Sequence, residues 1–121
     1  MILARALLAR IARRGSTGLE RDYATYLDML LRARMIDRYD QEPESLRLAD
    51  RTFFLPDFRV ILPDGQIEFH ECKGHWEDDA RAKFKIAAAQ HPYIFRAVTR
   101  VKGAWSWETL PKDAPAWLDT P

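Results

Sequence analysis

The fold is decided by residues 52–73, which read TFFLPDFRVILPDGQIEFHECK. Phe, Val and Ile are enriched on both sides of Pro63-Asp64-Gly65, a composition typical of two β-strands joined by a short turn. We predict strands over residues 52–62 and 66–73, closed by a three-residue loop. Proline presets φ at the first turn position, and Gly65 takes the left-handed conformation that closes a bulged hairpin.

The register of this hairpin brings ionisable side chains together. If Leu62 faces Gln66, counting outward places Asp57 opposite Glu71 on the neighbouring strand. Lys73 shares the sheet face of Glu71, because side chains alternate along a strand. A two-residue turn would remove this geometry by moving the aspartate one position out of register.

Two opposed carboxylates predict a cation site. Directly opposed residues have Cβ atoms about 5 Å apart, so Asp57 and Glu71 repel unless a cation offsets their charges. A hard divalent cation would do so through carboxylate oxygens, and the backbone carbonyl of Cys72 is a candidate further ligand. Lys73 is placed to orient an attacking water or to stabilise charge that develops on a phosphate.

The flanking residues predict two helices and one further strand. Apolar residues recur with helical period over residues 17–35, where Thr17 and Glu20 have capping-box spacing and Ser16 is a competing cap. Residues 36–51 give a mixed pattern, with strand-like pieces near Tyr39 and Leu46. A second helix is predicted over 77–90 and a strand over 93–101. The order predicts an α/β (α+β) fold.

Composition indicates one globular domain between two distinctive ends. The chain has 121 residues, 47% hydrophobic and 31% charged, and a net charge of +1, which does not by itself indicate a nucleic-acid partner. The single cysteine, Cys72, excludes an internal disulfide and supplies no zinc cluster. No apolar run reaches the ~20 residues of a membrane span. We divide the chain into a basic arm (1–15), a body (16–109) and a tail (110–121), which three tryptophans could pin to the body.

Pro56-Asp57 followed by Glu71-Cys72-Lys73 resembles the signature of the PD-(D/E)xK nuclease superfamily. The resemblance implies a restriction-endonuclease-like mixed central sheet flanked by helices and phosphodiester hydrolysis that depends on Mg²⁺, with Mn²⁺ as a substitute. It implies DNA as the partner and the cytoplasm of a bacterial or phage-infected cell as the location. The low net charge favours a homodimer.

Within the superfamily, the chain resembles small phage endonucleases that resolve Holliday junctions and the nuclease subunit of heteromeric transposases. The similarity spans residues 19–98 and includes the strand-like Gln41-Glu42-Pro43. Glu20 matches the superfamily's frequent extra metal-binding glutamate, and its other interpretation is the acid of the capping box. The resemblance therefore implies catalytic residues Asp57, Glu71, Lys73 and Glu20.

Basic residues near these positions are candidates for DNA contacts, or for an ordinary solvated face. The candidates are Arg13, Arg14, His75, Arg81, Lys83 and Lys85. Lys83 and Lys85 are two positions apart on a helix, so only one is expected to face the site. His70 is predicted on the sheet face opposite Glu71.

The basic arm, residues 1–15, has two interpretations. Its acid-free, Arg-rich composition fits a basic helix that touches DNA or a partner subunit, and it also fits an organelle transit peptide.

The expected function is therefore a metal-dependent DNA endonuclease. The resemblance points to branched DNA such as a Holliday junction as one substrate, and the sequence leaves a duplex site, an end and a single strand open as others. The alternative is a nucleic-acid-binding subunit of a recombination or transposition complex that cuts only with a partner.

Overall fold

The structure is a computed structural model that describes residues 18–119. The predicted arm with Arg13 and Arg14, and the predicted cap residues Ser16 and Thr17, lie outside this range. The elements, in chain order, are α1 Leu19–Arg32, β1 Arg38–Gln41, β2 Leu46–Ala49, β3 Thr52–Phe54, β4 Phe58–Ile61, β5 Ile67–Cys72, α2 Asp78–Gln90, β6 Ile94–Val101, β7 Ala104–Leu110 and a short 3₁₀ turn Trp117–Asp119.

A five-stranded mixed sheet forms the centre of the fold, in the order β1-β4-β5-β6-β7. Strands β5 and β6 are parallel and are connected through α2, whereas the other neighbours in this sheet are antiparallel. Strands β2 and β3 form a separate two-stranded antiparallel sheet. The predicted α+β class is confirmed, as are the two helices and the strand after α2.

The predicted continuous strand over residues 52–62 is wrong. It is divided at Leu55-Pro56-Asp57 into β3, which pairs with β2, and β4, which pairs with β1 and β5. Proline has no backbone N–H to donate to a central ladder, so the chain leaves one sheet before this residue and enters the other after it. The strand-like pieces near Tyr39 and Leu46 are β1 and β2, whereas β7 was not predicted.

Each face of the central sheet carries its own hydrophobic cluster. On one face, α1 packs through Tyr23 and Leu27 onto residues that include Phe58 and Cys72. On the other, α2 and the β2–β3 sheet pack through aromatic side chains that include Phe54, Phe69, Phe84 and Phe95. Because side chains alternate along β5, its residues divide between the two clusters. Glu71 therefore lies on the α2 side.

Helix α1 begins at Leu19 with Gly18 as its N-cap, and no side chain makes a capping hydrogen bond there. Glu20 and Asp22 occupy the first turn, where negative charge complements the helix dipole. The predicted capping box includes Thr17, which lies outside the described residues, so it stays a prediction. Between residues 18 and 119, no helix is both long enough and apolar enough to cross a membrane.

A chain of buried polar groups runs beneath α1. The Trp107 indole donates to the Tyr23 hydroxyl (3.0 Å), and this hydroxyl lies 2.7 Å from His70 Nδ1. His70 Nε2 is 2.9 Å from Glu68 Oε1, and Glu68 also accepts two hydrogen bonds from Arg96. Burial lowers the pKa of His70, consistent with a neutral ring that accepts at Nδ1 and donates at Nε2. His70 thus lies opposite Glu71, as predicted.

Three tryptophans attach the last part of the chain to α1. Trp117 is 1% exposed and its indole donates to the Tyr26 hydroxyl at 2.9 Å. Trp105 packs edge-on against Tyr23 with ring centroids 5.1 Å apart, and Trp107 lies 6.2 Å from Trp117. Packing, rather than base stacking, is therefore the role that the structure gives these rings. The predicted pinning of the tail is confirmed.

Candidate active site

The turn after β4 has the predicted geometry. Gly65 N–H donates to Leu62 O at 2.8 Å, Leu62 N–H donates to Gln66 O at 2.9 Å, and Gly65 has φ +89°. A positive φ is readily available only to glycine, so this residue fixes the loop at three residues. The resulting register pairs Ile61 with Ile67, as counted from the sequence.

This register brings Asp57 and Glu71 together at the open end of the hairpin. Asp57 N–H donates to Glu71 Oε1 at 2.9 Å, and Cys72 N–H donates to Asp57 Oδ2 at 2.9 Å. Each carboxylate therefore accepts a hydrogen bond from the backbone of the opposite strand. Such charge-assisted bonds are stronger than neutral ones, so they hold both side chains in position.

The two acidic side chains cannot both carry a full charge at low cost. Burial raises the pKa of Asp57 well above its ordinary value, and the neighbouring Glu71 raises it further through repulsion and a shared hydrogen bond. The Cys72 N–H and the Lys73 ammonium lower this pKa without cancelling the increase. The pair therefore has a strong tendency to take up a proton or a cation.

Lys73 borders the carboxylate pair and is held from two sides. Its Nζ lies 3.0 Å from Glu71 Oε2 and 5.4 Å from the ring centroid of Trp76. Arg81 places its guanidinium carbon 5.3 Å from the same ring and forms a 2.9 Å ion pair with Glu108 on β7. Trp76 therefore orients the lysine, whereas the charge of Arg81 is already paired with an acid.

A cavity of about 210 Å³ opens beside the site between β3, β5 and α2. Its lining includes Glu71, Lys73, Lys83, Asp79 and Phe53. Of the two predicted helix lysines, Lys83 lines the cavity whereas the exposed Lys85 does not, so the expectation that only one faces the site is confirmed. His75 lies in the loop before α2, with its side chain 83% exposed.

Three residues at this site were not predicted from the sequence: Phe53, Trp76 and Asp79. Phe53 falls within the predicted continuous strand and Asp79 within the predicted second helix, and neither position indicates a place at this site. The pairing of a lysine with an aromatic ring three positions later was a signal that could have pointed to Trp76.

Among the described residues, the candidate metal ligands do not all lie close enough together to share one metal ion. Between residues 18 and 119, no three His, Cys, Asp or Glu side chains form a group able to hold a metal ion, so Glu20 does not complete such a group with Asp57 and Glu71. Burial raises the pKa of the Cys72 thiol, and the charges of Asp57, Glu71 and Glu20 add to this effect. Glu20 is therefore within electrostatic range of Cys72, whose side chain packs in the α1 cluster.

The two carboxylates nevertheless fit a hard cation, because their mutual repulsion is what a divalent charge removes. Mg²⁺ is commonly held by one or two protein carboxylates together with water and substrate phosphates. Asp57 and Glu71 are two such carboxylates, and the Cys72 carbonyl stays the backbone ligand predicted from the sequence.

Neither a protein family, nor a curated protein, nor a solved structure matches this chain.

Proposed function

We propose that this protein is a divalent-metal-dependent endonuclease that hydrolyses phosphodiester bonds in DNA. The observation that carries the proposal is the crossed pair of Asp57 and Glu71, each bonded to the opposite strand, with Lys73 beside it. The same residues carry the resemblance to PD-(D/E)xK nucleases. Mg²⁺, or Mn²⁺ in its place, would be held by Asp57 and Glu71.

Each side chain has a separate part in this chemistry. When bound, the cation would supply positive charge to the phosphate and lower the pKa of a bound water. Asp57 and Glu71 would orient it, since each carboxylate is already fixed by a backbone N–H of the opposite strand. Lys73 would offer its ammonium to the charge that develops on the phosphate, and its bond to Glu71 keeps it in place beforehand.

The experiment is nicking of supercoiled plasmid by purified Asp57→Ala and Lys73→Ala variants, in Mg²⁺ and in Mn²⁺. Both variants are expected to lose nicking while DNA binding stays measurable. Lys112→Ala is the matched control, because Lys112 is an exposed lysine far along the chain from the site. Circular dichroism verifies that the variants are folded. Nicking retained by both site variants would overturn the assignment.

The alternative is a subunit with the same site that cuts only with a partner, as in transposition complexes. A specific observation favours it: the described part of the chain supplies only two close carboxylates and no third metal-binding side chain. Cleavage by the purified protein alone separates the two proposals, and metal binding is measured beside it to show that the site is intact. A ligand at 100 times its Kd stabilises the folded state by about 2.7 kcal/mol, a gain that Asp57→Asn should lose.

Stabilisation by Mg²⁺ without cleavage of plasmid or of a synthetic four-way junction would favour the subunit. Cleavage restricted to the junction would favour a resolvase, and light scattering would then test the expected homodimer.

A further inference from the structure

Phe53 is an exposed aromatic ring at the edge of the candidate site. It is 41% exposed, whereas the next residue on β3, Phe54, is 5% exposed and packs into the α2 cluster. A single exposed apolar residue is ordinary on a protein surface. Phe53 differs because it lines the same cavity as Glu71 and Lys73.

Basic side chains share the cavity with this ring or pair with it across the strands. Lys73 and Lys83 line the cavity, and the cross-strand neighbour of Phe53 on β2 is the exposed Arg47. Directly opposed residues in an antiparallel pair share a face of the sheet, so the arginine and the ring present themselves together. Asp79 and Glu71 also line the cavity, and Glu71 is ion-paired with Lys73, so Lys83 and Arg47 are the basic residues proposed for phosphate contacts. An aromatic face bordered by separated cations suits a base whose flanking phosphates carry negative charge.

Stacking on Phe53 sets a condition on the base that binds there. Within a duplex both faces of each base are covered, so stacking on Phe53 requires a base that has left the helix.

Resting on the function proposed above, we propose that Phe53 stacks on an unpaired base next to the bond to be cut, while Lys83 and Arg47 contact the adjoining phosphates. The substrate class is then DNA with an unpaired nucleotide at the cleavage position, as in a single strand, a flap or the branch point of a junction. Recognition is by stacking and charge, so it is tolerant of base identity.

The test measures the affinity of the wild-type protein and of Phe53→Ala for a fluorescent single strand of DNA and for the duplex of the same sequence. Ca²⁺ replaces Mg²⁺ in these measurements, so that binding is measured without cleavage. Loss of one stacked base is expected to weaken single-strand binding about 5- to 150-fold, and duplex binding less than twofold. Phe53→Trp keeps an aromatic face and should retain single-strand affinity.

Ile86→Ala is the matched control, since Ile86 is 42% exposed on α2 and does not line the cavity. It should leave both affinities unchanged, which makes a general effect of lost apolar surface distinguishable from stacking.

Equal weakening of single-strand and duplex binding, or none, would overturn the inference. Loss of single-strand affinity in Phe53→Trp equal to that in Phe53→Ala would also overturn it. A DNA-independent change, such as loss of self-association, would assign the ring to a protein contact instead and overturn the stacking role. Because binding is measured without cleavage, the nicking assay of Asp57→Ala tests the nuclease proposal independently of these outcomes.

Discussion

Replacing Arg96 by methionine is expected to lower the free energy of unfolding by about 3–5 kcal/mol. Arg96 is 2% exposed and donates to Glu68, which is 0% exposed, through two bonds of 2.6 and 2.8 Å. Its other terminal nitrogen donates to Thr109 Oγ1 at 2.8 Å and to Pro115 O at 3.0 Å. In the variant, the buried Glu68 carboxylate would lose both hydrogen bonds from Arg96 and keep the one with His70.

The large loss of stability is expected because the Glu68–Arg96 ion pair is shielded from water. An exposed ion pair contributes about 0–1 kcal/mol, because solvent screens both charges and replaces the lost partner. Neither side chain in the Glu68–Arg96 pair has that access, so the remaining charge bears the full desolvation penalty. A domain of this size is stable by only about 5–15 kcal/mol, so the variant should lose a large part of its stability.

Urea unfolding followed by tryptophan fluorescence measures the effect. With a slope of about 2 kcal/mol per molar, the midpoint should fall by about 2 M. The double variant Glu68→Leu with Arg96→Met should lose no more than Arg96→Met alone, because no unpaired charge is left buried. A loss below about 1 kcal/mol in Arg96→Met, or additive losses in the double variant, would refute this reasoning.

Two further predictions concern the tail and the environment of Lys73. Trp117→Ala should cost about 3–5 kcal/mol, because it removes a ring that is 1% exposed, and a thermal or urea unfolding loss below 1 kcal/mol would show that the tail is not part of the core. In the proposed nuclease reaction, Trp76→Leu should reduce the rate of cleavage about 2- to 30-fold at saturating DNA by removing a cation–π contact of about 0.5–2 kcal/mol with the lysine. Trp76→Phe should keep most of the rate, and equal rates in Trp76→Leu and wild type would contradict this positioning role.

Much of the candidate site was predictable because its geometry is set locally. The loop at Pro63-Asp64-Gly65 fixes the hairpin register through turn chemistry, and strand alternation then determines that Asp57 meets Glu71 and that His70 points away. The helical period of α1 and the acidic start of α2 are equally local. Helix bounds were therefore predicted to within a few residues.

The rest depends on which elements become neighbours in space. Pro56 indicates from the sequence that the strand is interrupted there. The sequence does not indicate that β3 belongs to a second sheet, because this depends on the pairing of β3 with β2 and on its packing against α2. The meeting of Phe53 and Lys83 at one cavity is a consequence of that arrangement.

The sequence by itself determined the hairpin, its carboxylate pair and the adjacent lysine, because turn conformation and side-chain alternation act over a few residues. Only the tertiary structure decided the cavity beside them and the buried Glu68–Arg96 pair. These features join residues from separate elements, and their contacts depend on sheet order and helix packing, which short-range patterns do not specify.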